Sequence, residues 1–164
     1  MDSEKMEPQM NADERRLNVS YQEKSRLFNS LRIEELRIPH TELDLIQAQL
    51  EENKPYEACG VLIGTIDGMT EHVEKALPIK NVKRTDRSFE LDPKEHYNAW
   101  NEAEKNGKEI VGVYHTHPGS RADPSHWDEE TMENAPSVWL IAGADGIRAY
   151  VWENGLKSVK IIEV

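Results

Sequence analysis

Strand-length apolar runs and helix-spaced apolar positions divide most of the chain between them. "EACGVLIGTI" reads as a buried strand, and Asp67-Gly68 as the hairpin turn that returns it through "EHVEKALPI". A short strand before Pro39 leads into a helix from about Thr41 to Glu52, with Leu43, Ile46 and Leu50 on one face. Thr41 followed by Asp44 reads as a capping box, with Asp in place of the usual Glu or Gln. "RSFELD" reads as a further strand. Pro93 then starts a helix that runs to about Lys105 and stops at Asn106-Gly107. "EIVGVYHTHP" is a strand running into a loop. After a short helix come "SVWLIAG", "IRAYVWEN" and "LKSVKIIEV", three strands with Gly146 and Asn154-Gly155 at their turns. The pattern predicts an α+β domain, with a mixed, mostly antiparallel sheet flanked by two main helices.

Residues 1–33 stand apart from this body, polar and mixed in charge. Leu17, Tyr21, Phe28 and Leu31 fall along one helical stripe, so the segment reads either as a helix docked on the body or as a loose tail. Residues 34–164 form the one domain expected of a 164-residue chain, long enough to bury a core without staples. No period of 20 to 50 residues repeats along it.

Composition narrows the function classes. The net charge of -11 disfavours nucleic acid and anionic membrane as partners, because both call for concentrated Lys and Arg. No apolar run approaches the roughly 18 residues of a bilayer crossing. "MDSEKMEPQMNADERR" lacks the apolar stretch of a secretory signal. Cys59, the only cysteine, has no internal disulfide partner, which fits a reducing, cytoplasmic setting.

The chemistry concentrates in "YHTHPGSRADPSHWD", residues 114–128. Alternation on a strand aims His115 and His117 at one spot. Pro118 cannot extend the ladder and Gly119 lets the chain turn. Asp123-Pro124 reads as a helix start, Asp123 as N-cap, which sets Ser125 and Asp128 on one helical face. Two imidazoles and a carboxylate leave a fourth tetrahedral position for water, the arrangement of a catalytic rather than a structural zinc site. Ser125 lies where it could hydrogen-bond the oxyanion of a tetrahedral intermediate. The helix turns His126 away from these groups, and Cys59 reads as a core residue rather than a nucleophile.

The pattern H-x-H-P-x6-S-x-x-D, with an upstream glutamate in "YEACGVLIG", resembles the JAMM (MPN+, JAB) zinc metalloproteases over residues 34 to 164. The resemblance implies that His115, His117 and Asp128 ligate one zinc ion and that Ser125 helps hold the tetrahedral intermediate. It also implies that Glu57 takes a proton from the zinc-bound water and hands it to the leaving amine. A carboxylate with no Lys or Arg in the next eight residues suits that base role on physical grounds as well.

Complete members of the family cleave isopeptide or peptide bonds after the C-terminal glycines of ubiquitin or ubiquitin-like proteins. The eukaryotic deubiquitinases carry two insertions around the site. About nine residues separate Asp128 from the next strand here, so the chain resembles the compact prokaryotic or archaeal type, which acts on small ubiquitin-like modifiers or sulfur-carrier proteins.

Other readings remain open. One is a non-catalytic MPN-type scaffold or interaction module, against which the complete ligand set argues. A cupin wants a Glu and a later His that do not follow residue 117 at suitable spacing, and an amidohydrolase barrel wants about 250 residues. A thiol protease on Cys59 is the weakest. Hydrolysis that a chelator abolishes and thiol alkylation leaves unchanged is the outcome expected of zinc chemistry. The reverse pattern would assign the activity to Cys59.

Overall fold

A computed structural model describes residues 32–135 and 137–164, together with Asn11, Ala12 and Arg15. The stripe of Leu17, Tyr21, Phe28 and Leu31 lies outside the described residues. The body holds seven strands, β1 (Glu35–Ile38), β2 (Cys59–Asp67), β3 (Thr70–Ile79), β4 (Glu109–Thr116), β5 (Val138–Gly143), β6 (Gly146–Trp152) and β7 (Leu156–Glu163). Its helices are α1 (His40–Glu52), α2 (Pro93–Lys105) and α3 (His126–Asn134). Among the described residues no helix is long and apolar enough to cross a membrane.

The sheet closes into a barrel in the order β1-β3-β2-β4-β5-β6-β7. β1 makes the closure, pairing in parallel with β3 on one edge and β7 on the other. The β4–β5 pairing is also parallel, and the remaining four are antiparallel. The sheet is therefore mixed as expected, with antiparallel pairings in only a narrow majority. Closure was not legible in the sequence. It depends on a four-residue strand finding two distant partners, which leaves no local signal.

One expected element is missing. "RSFELD" is not a strand, and only an isolated bridge between Asn81 and Leu91 marks the region. Each barrel strand already has a neighbour on either side, although β3 meets β1 only over residues 70–72. The segment reaches just the end of β3, where Val82 N–H donates to Glu90 O and Asp92 N–H to Lys80 O. The segment is also tied by side chains: Asn81 Oδ1 accepts from the amides of Lys83 and Glu90.

The helix starts divide between confirmation and correction. α2 is capped by Asp92, whose Oδ1 accepts from Lys94 and Glu95 N–H at 3.0 Å, with Pro93 in the first helical position. α1 begins at His40, after Pro39 as N-cap, with no side-chain cap. Thr41 is thus already inside the first turn, where its hydroxyl donates to Glu42 and Asp44 meets His40 at 3.1 Å instead. The expected capping box is absent.

β5 is buried along its whole length, which accounts for its unbroken apolar run. Val138, Leu140 and Ala142 join Leu36, Ile46 and Tyr114 in one core cluster. Trp139 and Ile141 face the other way, into a second cluster with Cys59, Phe89, Met132 and Tyr150. His115 sits opposite Ile141 in the β4–β5 ladder. It is on this second side, beneath α3, that the loop chemistry assembles.

One buried group has no such purpose. Glu71, on β3 between Leu36 and Ile66 in the ladders, is fully buried, and neither carboxyl oxygen has a partner among the described residues. Burial, with Glu109 nearby, pushes its carboxyl well above the usual 4.5. The unfolded chain releases this proton as pH rises through 4.5 while the folded chain keeps it, so stability falls with rising pH. Glu71→Met should therefore raise stability at pH 8 by at least on the order of 1–3 kcal/mol, and by less below pH 4, where the unfolded carboxyl is protonated as well. Urea unfolding at the two pH values reads this directly; no gain at pH 8 would mean that Glu71 is partnered.

Candidate metal centre

His115 ends its ring in the space between β4 and α3 and is fully buried. His117 lies one residue past the end of β4, yet its N–H still donates to Ala142 of β5 at 2.8 Å, so the chain keeps its extended path. Both Nε2 atoms consequently meet, 2.9 Å apart. Gly119, with φ of 78°, then turns the chain back toward α3.

The helix start differs from the one expected. Ser125, not Asp123, is the N-cap, and the helix begins at His126 rather than Pro124. Ser125 and Asp128 form a complete capping box: Asp128 N–H donates to Ser125 Oγ at 3.1 Å, and Ser125 N–H donates to Asp128 Oδ2 at 2.8 Å. Two reciprocal bonds outcompete the single bond Asp123 could offer. Asp123 turns outward to Arg121 and Arg148, each at 2.8 Å. The capping box fixes the Asp128 carboxylate, with Oδ1 3.1 Å from His115 Nε2 and Oδ2 3.0 Å from His117 Nε2.

Glu57 approaches from another segment, two residues before β2. Its N–H donates to Thr85 O at 3.1 Å, and its carbonyl accepts from Asn81 Nδ2 at 3.0 Å. Thr116, between the two histidines, is buried and bonds the neighbouring residue twice, through its own N–H to Ala58 O and through Oγ1 from Ala58 N–H. The strand that carries the histidines therefore also grips the segment that carries the glutamate. Glu57 Oε1 stands 3.8 Å from His117 Nε2, and its Oε2 is buried with no partner among the described residues.

The electrostatics follow from burial and contact. Burial pushes Glu57 up to about 7, against a smaller downward pull from His117. Burial alone would raise Asp128, but hydrogen bonds from both imidazoles hold it well below the carboxylate range. Burial lowers His115, and His115 keeps that lowering. In His117 the same burial is outweighed by the bond to Asp128 and its charge, so its pKa ends above the ordinary 6.5.

The donor set fits a divalent cation. One atom each from Glu57, His115 and His117 lie within 4.8 Å of one another, and Asp128 touches both imidazoles. Tetrahedral ligation at roughly 2.0–2.1 Å implies donors about 3.3 Å apart, close to the separations of 2.9 to 3.1 Å between the imidazoles and Asp128. Nitrogen and carboxylate donors together suit zinc. His117 Nδ1 meets the Arg121 carbonyl at 3.0 Å. A carbonyl only accepts, so Nδ1 carries a proton, and Nε2 is the nitrogen left to hold a cation once the proton it gives to Asp128 has gone.

The remaining residues of the loop divide cleanly. Ser125 is exposed, and with one lone pair committed to Asp128 N–H its own O–H is left to donate outward. His126 points away, pairing with Glu130 at 3.1 Å. Cys59 is buried, donates its thiol to Ile79 O, and is pushed up to about 12, chiefly by burial. A thiol so held is no nucleophile at neutral pH. The sequence had no means of revealing Phe89, which stacks on His115 with ring centroids 4.6 Å apart, because its segment read as a strand.

Comparison with known proteins gives concordant results. A family model described as prokaryotic homologs of the JAB domain matches residues 40–153. A protein of Haloferax volcanii named "Desampylase" is 40% identical over 100 residues, spanning 60% of this chain and 70% of that one. A Thermus thermophilus protein named "Probable TtuB-protein conjugate cleaving protease" is 29% identical over 129 residues, 77% of this chain and 82% of the relative. Among solved structures, protein DSY2949 from Desulfitobacterium hafniense superposes with a TM-score of 0.72 at 26% identity, covering 79% of this chain and 92% of that one.

Asp128→Asn would remove the charge that lifts His117 most and leave burial opposed only by the Arg121 carbonyl and Glu57. In the metal-free protein the His117 imidazole should then titrate lower than in the wild type. NMR titration of the ring protons measures both. Identical midpoints would assign the upward shift to something other than Asp128.

Proposed function

Because the chain belongs to the prokaryotic homologs of the JAB domain, we propose that it is a zinc-dependent isopeptidase that cuts after the C-terminal glycines of ubiquitin-like or sulfur-carrier modifiers. The observation that carries this reading is Glu57: a buried carboxylate with one oxygen unpartnered among the described residues, 3.8 Å from the His117 Nε2 that also meets His115 and Asp128. The names of the Haloferax and Thermus relatives support the substrate class. The completeness of the donor set argues against a non-catalytic scaffold.

In this reading His115, His117 and Asp128 hold one zinc ion. When bound, the ion supplies Lewis acidity, polarising the scissile carbonyl and bringing the pKa of a water toward about 7. Asp128 is assigned as the ligand because it touches both imidazoles, whereas Glu57 reaches one of them from farther off. Glu57 takes the proton as the water oxygen attacks the carbonyl carbon, then returns it to the amine as the carbon–nitrogen bond breaks. The pKa of about 7 describes a carboxyl with no cation beside it; a dication would lower it and favour the base form at neutral pH. Ser125 donates its O–H to the developing oxyanion. Cys59, single and buried, is compatible with the cytoplasmic setting we assign.

Glu57→Gln keeps the ligands and removes the base. It should retain one zinc per chain while turnover of a ubiquitin-like fusion falls by about 10²–10⁴. His117→Ala should lose both zinc and activity. Metal analysis beside a cleavage assay separates the two, and near-normal hydrolysis by Glu57→Gln would overturn the assignment of the base.

A further inference from the structure

The loop between His117 and α3 has no regular structure until Ser125, and it is held from outside, by the turn between β5 and β6. At Gly143, the last residue of β5, a Cβ would stand 2.4 Å from the Arg121 carbonyl carbon and 2.3 Å from the Ala122 nitrogen. Only glycine permits that approach. From the same turn Ala144 N–H donates to Ser120 O at 2.7 Å, and Asp145 Oδ1 accepts from Ala122 N–H at 2.8 Å. The Ala122 carbonyl accepts from the Tyr150 hydroxyl at 3.2 Å, and its side chain is fully buried.

Two of these contacts share a single peptide group. The amide that joins Arg121 to Ala122 gives its N–H to Asp145 and its C=O to His117 Nδ1–H. That group is planar, so fixing one end fixes the direction of the other. Hydrogen bonds in series also polarise one another: a carboxylate drawing on the N–H makes the carbonyl a stronger acceptor. Metal-ligating histidines commonly donate their second N–H straight to a carboxylate or a carbonyl, which orients the ring and raises its basicity. Here the carboxylate acts one peptide farther away.

Resting on the metal reading of His117, we infer that Asp145 is a positioning residue of the metal site, acting on the His117 ring through the Arg121–Ala122 peptide. It lies outside the histidine–serine–aspartate pattern of residues 115–128, on an exposed turn. Its outer oxygen is held by Arg148 at 2.8 Å, which keeps Oδ1 aimed at Ala122. The Ala122 N–H, ahead of Arg148, holds the Asp145 carboxyl below its usual range, so the group facing the peptide is the anion.

The test uses the full chain with Asp145→Ala, which removes the acceptor, and Asp145→Asn, which keeps an acceptor but removes the charge. The zinc dissociation constant is measured by competition with a chromophoric chelator. Asp145→Ala should raise it about tenfold, and Asp145→Asn by less. In the metal-free proteins the His117 Nδ1–H proton resonance should move upfield in both variants while that of His126 stays. A constant for Asp145→Ala within threefold of wild type overturns the inference, as does an unmoved His117 resonance in either variant. If Asp145→Ala does not fold, the resonance in Asp145→Asn decides: moved supports the relay, unmoved overturns it. A wild-type chain that takes up no zinc would count against the metal reading, and the metal-free resonances would still test the relay.

Discussion

Asp128 holds a charge where water barely reaches, with the carboxylate 1% exposed between two imidazoles. An isolated carboxylate in such a place carries a desolvation penalty of several kcal/mol. Here the imidazole hydrogen bonds and the Ser125 N–H more than offset it, holding Asp128 well below the carboxylate range. The contact runs both ways, since Asp128 also lifts His117 against its own burial. Remove that carboxylate and the Nε2 atoms of the two buried imidazoles are left with the one hydrogen bond that either can give the other across 2.9 Å, and with Glu57 3.8 Å from His117. A dication at their common focus would relieve all three groups at once, which is why the proposed zinc site is the natural reading of this arrangement.

The barrel makes the focus possible. Because β5 is buried on both faces, β4 beside it can send Tyr114 to one core cluster and His115 to the other. Thr116, pointing away from the imidazoles, ties the Glu57 segment to the same strand end. α3 returns a carboxylate through its capping box, and the β5–β6 turn carries the loop in between. Four separate stretches of chain are thus brought to one spot by hydrogen bonds between side chains and backbone, with aromatic packing from Phe89 closing the side of His115.

What the sequence disclosed and what it withheld divide along the range of the interactions. Apolar runs and turn residues placed β2, β3 and the strands from β4 onward, and Pro93 announced the start of α2, because these signals are local. The two-residue spacing of His115 and His117 was enough to expect their rings on one side. Barrel closure was not legible, since β1 has only four residues and both of its partners are remote. "RSFELD" had strand-like residues, yet it meets its neighbours through one isolated bridge between Asn81 and Leu91, a tertiary outcome that its own residues do not announce. Asp123 read as the cap on local grounds; the helix is capped by Ser125 instead, because Asp128 answers it and two arginines take Asp123. Phe89 and Asp145 act on the histidines only through tertiary contact, and no spacing rule points to either.

The central claim is that His115, His117 and Asp128 share one ion while Glu57 stands just outside its coordination. A crystal grown with zinc and measured across the zinc absorption edge tests it most directly. The account predicts a single anomalous peak within roughly 2.0–2.2 Å of both Nε2 atoms and one Asp128 oxygen, with both Glu57 oxygens beyond that distance. A peak ligated by Glu57 in place of Asp128, or no peak between the two histidines, would contradict it.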